Sequence, residues 1–215
     1  MARKKSQRLE EVYTLPNVFT FEENNTEKKL SEYFGNDNKI CLEIGCGHGD
    51  YSIALSQKFP DTNFVGLDMR ATRVYIGAKE ALNENHKNAA FIVARADQLP
   101  EIFSDKKIDE IWIPFPDSLP RRKDAPKRLI STKFLEIYKK IISPDGVINF
   151  KTDDLPLFEF ACKNLERPDV KILKCLENLH DGNELNLREK IQTLHEKVFL
   201  REGRIIKYIQ FQFLF

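Results

Sequence analysis

No stretch of this 215-residue chain is long and apolar enough to read as a membrane span. The start, Met1-Ala2-Arg3-Lys4-Lys5-Ser6-Gln7-Arg8, is basic and lacks the apolar centre of a secretion signal. Cysteine is scarce. Cys41, Cys46, Cys162 and Cys175 show no C-x-x-C spacing, and two of them lie on or beside one apolar run. They read as buried thiols in a reducing compartment, so a cytoplasmic location is expected. His48, His86, His180 and His195 form no metal-ligand pattern, and no metal is expected. There is no internal repeat, no low-complexity tract and no excess of one charge: 34 basic against 33 acidic side chains leave +1. That balance neither demands nor excludes a nucleic acid, so local clusters must decide. The length makes one domain with a full core the default.

What is present concentrates in residues 39–68. Lys39-Ile40-Cys41-Leu42-Glu43-Ile44 reads as a buried strand, followed at once by Gly45-Cys46-Gly47-His48-Gly49, Asp50 and a helical stretch. A second apolar run, Phe64-Val65-Gly66-Leu67, ends in Asp68. Strand, glycine turn, helix, strand and terminal acid make a nucleotide-binding crevice, with the acid placed for ribose hydroxyls. The spacing is G-x-G-x-G rather than the dinucleotide G-x-G-x-x-G, and Glu43 precedes the first glycine. Together these resemble the S-adenosylmethionine (SAM) site of class I methyltransferases. Glu43 suits a ligand with a sulfonium and an ammonium and would repel a phosphate. The alternative is a tight turn in an unrelated α/β domain.

Residues 1–26 read as a basic, then polar, N-terminal arm, and 27–215 as one domain that opens with a helix over about 27–34. Strands are expected at 39–44, 64–67, 91–94, 108–113, 147–150, 170–176 and 204–215. Helices are expected between them, including a stripe at Phe134, Ile137, Tyr138 and Ile141 and a mostly helical stretch over 185–201. Ser143-Pro144-Asp145-Gly146 reads as a turn. The order predicts an α/β, Rossmann-like fold: a mostly parallel seven-stranded sheet with helices on both faces. Ligands in such sheets sit beyond the carboxyl ends of the strands. That rule selects Glu43–Gly49, Asp68, Asp97 and Pro114–Asp117, with Gly45 and Gly47 at the methionine part, Asp68 at the ribose and Asp97 near the adenine.

The fourth strand leads into a loop holding Asp117, then Arg121, Arg122, Lys123, Lys127 and Arg128. Cations beside a cofactor crevice point to a polyanionic substrate held through phosphates. The alternative is a solvated charged loop.

Here the chain resembles a family. Leu42-Glu43-Ile44-Gly45-Cys46-Gly47-x-Gly49 is similar to the cofactor motif of bacterial tRNA (guanine-N7)-methyltransferases. Phe115-Pro116-Asp117 with Pro120-Arg121-Arg122 and Lys127-Arg128-Leu129 resembles the family's F-P-D-P-W-P-K-x-R-H-x-K-R-R-L signature. Phe150-Lys151-Thr152-Asp153 resembles its T-D motif, and Thr193-Leu194-His195-Glu196 with Gly203 its T-x-Y-E and glycine. The resemblance covers about 40–210. It implies methyl transfer from SAM to N7 of guanine 46 in the tRNA variable loop. Glu43, Asp68, Asp97 and Asp117 would line the cofactor site, and Arg121, Asp153 and Thr193 to Glu196 would contact substrate. Arg122, Lys123, Lys127 and Arg128 are the expected RNA contacts. The chain departs from the family at Ser118-Leu119 (for Pro-Trp), Asp124 (for His), Pro126 and His195 (for Tyr). From the residues alone, Asp153 or Asp154 also suits a helix N-cap, and Thr193 with Glu196 an i, i+3 pair on a surface helix.

Guanine N7 has an in-plane lone pair and no proton, so the reaction needs no strong general base; Asp117 is the expected catalytic acid group, facing the product cation. Two other functions fit less of the chain. One is a SAM-dependent methyltransferase of another acceptor, which leaves the basic loop and basic start unexplained. The other is an RNA-binding homologue weak in catalysis, supported only by Ser118-Leu119. Oligomeric state is left open.

Overall fold

The computed structural model describes residues 2–21, 25–103 and 107–215, and of residues 2–5 the backbone only. Met1, part of the basic start, lies outside them. The strands are β1 (Val18–Thr20), β2 (Lys39–Ile44), β3 (Thr62–Asp68), β4 (Ala89–Val93), β5 (Ile108–Pro114), β6 (Ile142–Thr152), β7 (Val170–Leu176) and β8 (Lys207–Phe213). The helices are α1 (Ala2–Glu11), α2 (Thr26–Phe34), α3 (Asp50–Lys58), α4 (Ala71–Asn83), the single turn α5 (Leu99–Ile102), α6 (Thr132–Ile141), α7 (Leu155–Leu165) and α8 (Leu194–Arg201). The sheet order is β1-β4-β3-β2-β5-β6-β8-β7, parallel throughout except for β8, which runs against both its neighbours.

Strand periodicity sorts the side chains onto two faces. Leu42, Ile44, Val65, Leu67, Ile111, Ile113, Ile148 and Phe150 join one buried cluster with Leu135 and Tyr138 of α6 and Leu157 and Ala161 of α7. Their sequence neighbours Cys41, Phe64 and Trp112 turn to the opposite face, where Tyr51 and Leu55 of α3 cover them. Glu43 shares that second face by the same alternation. This parity decides where the acid goes.

Three expectations change. The sheet has eight strands rather than seven. Val18–Thr20, inside the expected arm, pairs with Phe91–Val93. Val18 and Phe19 are both buried, but in clusters on opposite faces, so a three-residue strand suffices to close the edge. The remainder of that segment also meets the domain, because the Glu11 carboxylate accepts from the Tyr75 hydroxyl of α4. Second, residues 143–146, expected as a turn ahead of a strand at 147–150, lie inside β6. They bulge within β6, since Ile142 pairs with Ile108 while Val147 pairs with Glu110. Third, only Leu194–Arg201 of the 185–201 stretch is α-helix. Before it, the Asn186 side-chain oxygen accepts from the N–H groups of Arg188 and Glu189, a local bond that competes with helix. Among the described residues no helix is long and apolar enough to cross a membrane.

Candidate active site

The carboxyl ends of β2 and β3 meet at the glycine turn. The N–H groups of Gly45 and Cys46 both donate to the Leu67 carbonyl, at 2.8 and 3.0 Å. Gly47 N–H donates to Asp68 Oδ2 at 3.0 Å, and Arg70 N–H to Asp68 Oδ1 at 2.7 Å. Asp68 therefore braces the turn as well as closing β3, and each oxygen keeps a lone pair for a further donor. Gly47 has φ 57°, and a Cβ there would meet nothing within 4 Å, so the backbone stays open to a ligand. Gly49 has φ 74°, and a Cβ would lie 2.4 Å from the Phe91 ring, so this glycine is required for packing.

Glu43 is buried beneath the turn. Its Oε2 accepts from the Ser52 N–H at 2.9 Å and the Ser52 hydroxyl at 2.6 Å. Burial pushes its pKa up to about 8; the two bonds from Ser52 oppose this, and the charges of Asp50 and Asp68 add to it. A neutral acid poised to ionise under an open glycine backbone fits a ligand carrying an ammonium. Asp97, in a 3-10 turn after β4, is engaged differently. Arg95 binds it through two nitrogens, at 3.0 and 2.6 Å, and Lys133 approaches to 3.4 Å. The Arg95 hydrogen bonds hold its pKa below the usual carboxylate range.

After β5 the chain is strained. Phe115 and Leu119 are non-glycine residues at φ 52° and φ 45°. Phe115 N–H donates to the Lys151 carbonyl at 2.8 Å. Arg128 donates from Nε and Nη2 to the Leu119 carbonyl, at 3.3 and 3.1 Å, and its guanidinium covers the Phe160 ring at 4.4 Å. Between these two anchors Asp117 is exposed and accepts no hydrogen bond from the described residues. The segment returns beside the glycine turn, with Leu129 Cδ1 3.7 Å from the position of a Cβ on Gly45.

The cations of this segment divide. Arg122 and Lys123 are exposed and hold no ion pair among the described residues. Arg121 and Lys127 each reach the buried carboxylate of Asp124 at 2.8 Å while their side chains stay 72% exposed. The Lys127 hydrogen bond, with Arg121, lowers the Asp124 pKa. Asp124, a departure from the family signature, thus orders two cations. Arg128, expected as an RNA contact, instead holds the strained loop, because its planar fork finds a backbone carbonyl and an aromatic face.

The ends of β6 and α8 close the site. Asp153 pairs with Arg204 at 2.8 Å, and Asp154 is the helix cap, accepting from Leu157 N–H at 2.7 Å. Thr193 caps α8 by accepting from Glu196 N–H at 3.1 Å. Glu196 is neither a surface partner nor turned to solvent: its side chain is 0% exposed and meets the Lys151 ammonium at 3.2 Å and His180 Nε2 at 2.9 Å. α8 reaches the glycine turn through Leu194 N–H, which donates to Asp50 Oδ2 at 2.9 Å. It reaches the β5 loop through Phe199, whose ring lies 5.5 Å from that of Phe115. Sequence reasoning missed Ser52, Asp50 and Lys151. Lys151 had a signal: Asn149 and Lys151 are polar residues at alternate positions of an otherwise apolar strand.

A family model described as a putative methyltransferase matches residues 37–208. A tRNA (guanine-N(7)-)-methyltransferase of Cytophaga hutchinsonii is 36% identical over 219 residues, covering 100% of this chain and 99% of the relative. One of Bacteroides thetaiotaomicron is 34% identical, covering 99% and 86%. The chain belongs to the tRNA (guanine-N7)-methyltransferase family. Its cofactor is S-adenosyl-L-methionine, and the open backbone at Gly47 above Glu43 fits that group. The fold is that of the SAM methyltransferases. The solved 16S rRNA methyltransferase KamB aligns with TM-score 0.63 at 14% identity, covering 89% of this chain and 95% of the other. A SAM dependent methyltransferase from Aquifex aeolicus aligns with TM-score 0.57 at 14% identity, covering 89% and 90%.

Proposed function

We propose that this protein transfers the methyl group of SAM to N7 of a guanine in tRNA, at position 46 of the variable loop, in the cytoplasm. The observation that carries the reading is Asp117. It is an exposed carboxylate without a hydrogen-bond partner among the described residues, between Phe115 and Leu119 at positive φ, on a segment that carries exposed cations and returns to the glycine turn at Leu129. Strain of this kind persists only where the surroundings enforce it, and it clusters at functional loops.

SAM supplies an electrophilic methyl on a sulfonium. The residues of the chain do the rest by position and charge. Glu43, Gly45 and Gly47 take the methionine part, Asp68 the ribose, and Asp97 the adenine side. Asp117 faces the guanine, accepts hydrogen bonds from its N1 and N2 edge, and stabilises the positive charge that grows on the base as N7 is alkylated. No proton needs to leave N7, so alignment supplies much of the acceleration. Asp153, already neutralised in part by Arg204, orients the base. Arg121, Arg122, Lys123 and Lys127 hold phosphates. Thr193 contributes through the start of α8.

Purified protein with methyl-labelled SAM and bulk tRNA tests this. The expected result is label at guanine N7, mapped to position 46 by cleavage at the modified base. Label on other acceptors only, or tRNA binding without transfer, would reject it.

A further inference from the structure

Apart from Asp153 at the end of β6, the residues proposed to meet the substrate come from two segments with few secondary-structure bonds of their own: the β5 loop and the stretch 185–196 leading into α8. Both rest on Lys151. Its backbone carbonyl accepts the N–H of the strained Phe115 at 2.8 Å, a ladder bond that any residue here would make, and its side chain reaches the β5 loop through α8, where the Phe199 ring lies 5.5 Å from that of Phe115. Its ammonium donates to the carbonyls of Glu189 and Ile191, each at 3.0 Å, and to the Glu196 carboxylate. The side chain is 0% exposed and lies over the rings of Tyr51 and Trp112, at 5.5 and 5.8 Å.

A buried ammonium is costly, and an apolar residue would serve a purely structural strand position better. Here all three of its N–H directions have acceptors, and two are carbonyls of a stretch outside the regular strands and helices, which Tyr51 of α3, Glu110 of β5 and Lys174 of β7 also hold through Arg188 and Glu189. Glu196 is in turn held by His180 at 2.9 Å, and Leu194 N–H by Asp50 at 2.9 Å. The same stretch thus reaches the glycine turn. Burial lowers the Lys151 pKa and the Glu196 charge opposes that.

We infer that Lys151 is a positioning residue: with Glu196 as its buried counter-ion, it sets the α8 segment and the Asp117 loop in register over the guanine. Glu196 acts through Lys151 rather than by touching the tRNA. The inference rests on the proposed reaction for its kinetic readout, and has a second readout that does not.

Lys151→Met, Glu196→Gln and the double variant would be compared in the full chain. Expected for Lys151→Met is a folded protein with SAM affinity within about threefold of wild type, kcat for tRNA methylation down about 30-fold or more, and KM little changed. The double variant, which leaves no unpaired buried charge, should recover about fivefold or more of that loss. Glu196→Gln alone should lower kcat rather than raise KM, and hydrogen exchange over 186–196 should quicken while the β2 and β3 amides stay protected. If Lys151→Met does not fold, the Glu196→Gln kcat/KM split and exchange decide. A rise in KM with unchanged kcat would make Glu196 a substrate contact and overturn the inference. So would unchanged exchange, a double variant no better than the single one, or SAM affinity falling in step with kcat. Absence of transfer by wild type would reject the proposed reaction, while the exchange result still judges Lys151.

Discussion

Replacing Glu43 with Gln removes the acid held by Ser52 under the glycine turn while keeping its shape and its acceptor oxygen for Ser52. In the ligand-free protein Glu43 has a pKa of about 8. At pH 7 it is about nine-tenths protonated, and ionising it costs about 1.4 kcal/mol. An ammonium placed beside it favours the carboxylate, so SAM binding should expel the proton. Wild-type affinity should then rise toward tenfold per pH unit near pH 6 and flatten above pH 8. Calorimetry in buffers of different ionisation enthalpy should count about 0.9 proton released at pH 7 and about half a proton at pH 8. Glu43→Gln should release none and bind with no slope over this range. The linkage has a stability arm of known sign. The folded pKa is raised above the unfolded value of 4.5, so stability is fully present below 4.5 and falls as pH rises toward 8, by up to about 1.4 kcal/mol per unit. Ligand-free Glu43→Gln should lack that decline. A flat wild-type affinity between pH 6 and 8 with no proton released would refute the reasoning.

Asp68→Ala removes the acceptor for Gly47 and Arg70 N–H together with the proposed ribose contact. SAM affinity should fall by about 1.5–3 kcal/mol by calorimetry, with the sheet intact by circular dichroism. Neutralising Arg122, Lys123 and Lys127 together should weaken tRNA binding and flatten its salt dependence by about two to three units of log–log slope, leaving SAM affinity unchanged. An unaltered slope would make these cations solvated charge. Arg128→Ala should behave differently: it frees the Leu119 carbonyl and the strained turn, so kcat should fall about tenfold or more while the salt slope hardly moves.

The crevice was legible because each part carries a local signal. Glycines at 45, 47 and 49 with acids at 43 and 68 follow from short-range spacing, and apolar runs marked most strands. What escaped depends on contacts distant in the chain. β1 is three residues long and is defined by its pairing with β4. The burial of Glu196 depends on a lysine 45 residues away, and the diversion of Arg128 on Phe160 and Leu119. Charged side chains look alike in a sequence whether they face water, a carbonyl or each other. Whether Asp153 or Asp154 caps the helix is equally a matter of orientation, and Asp154 does.

Single-turnover methylation by Asp117→Asn tests the account most directly. The substitution keeps the size of an exposed side chain that has no partner among the described residues to lose, and removes only the negative charge proposed to face the product cation. Interactions that strengthen in the transition state appear in the rate of transfer rather than in binding. The account predicts a fall in the rate of N7 methylation of about 10²-fold or more, an effect the size of an oxyanion-hole donor. Affinity for tRNA and SAM should stay within a few-fold. A near-normal transfer rate by folded Asp117→Asn would contradict it and pass the catalytic role to Asp153.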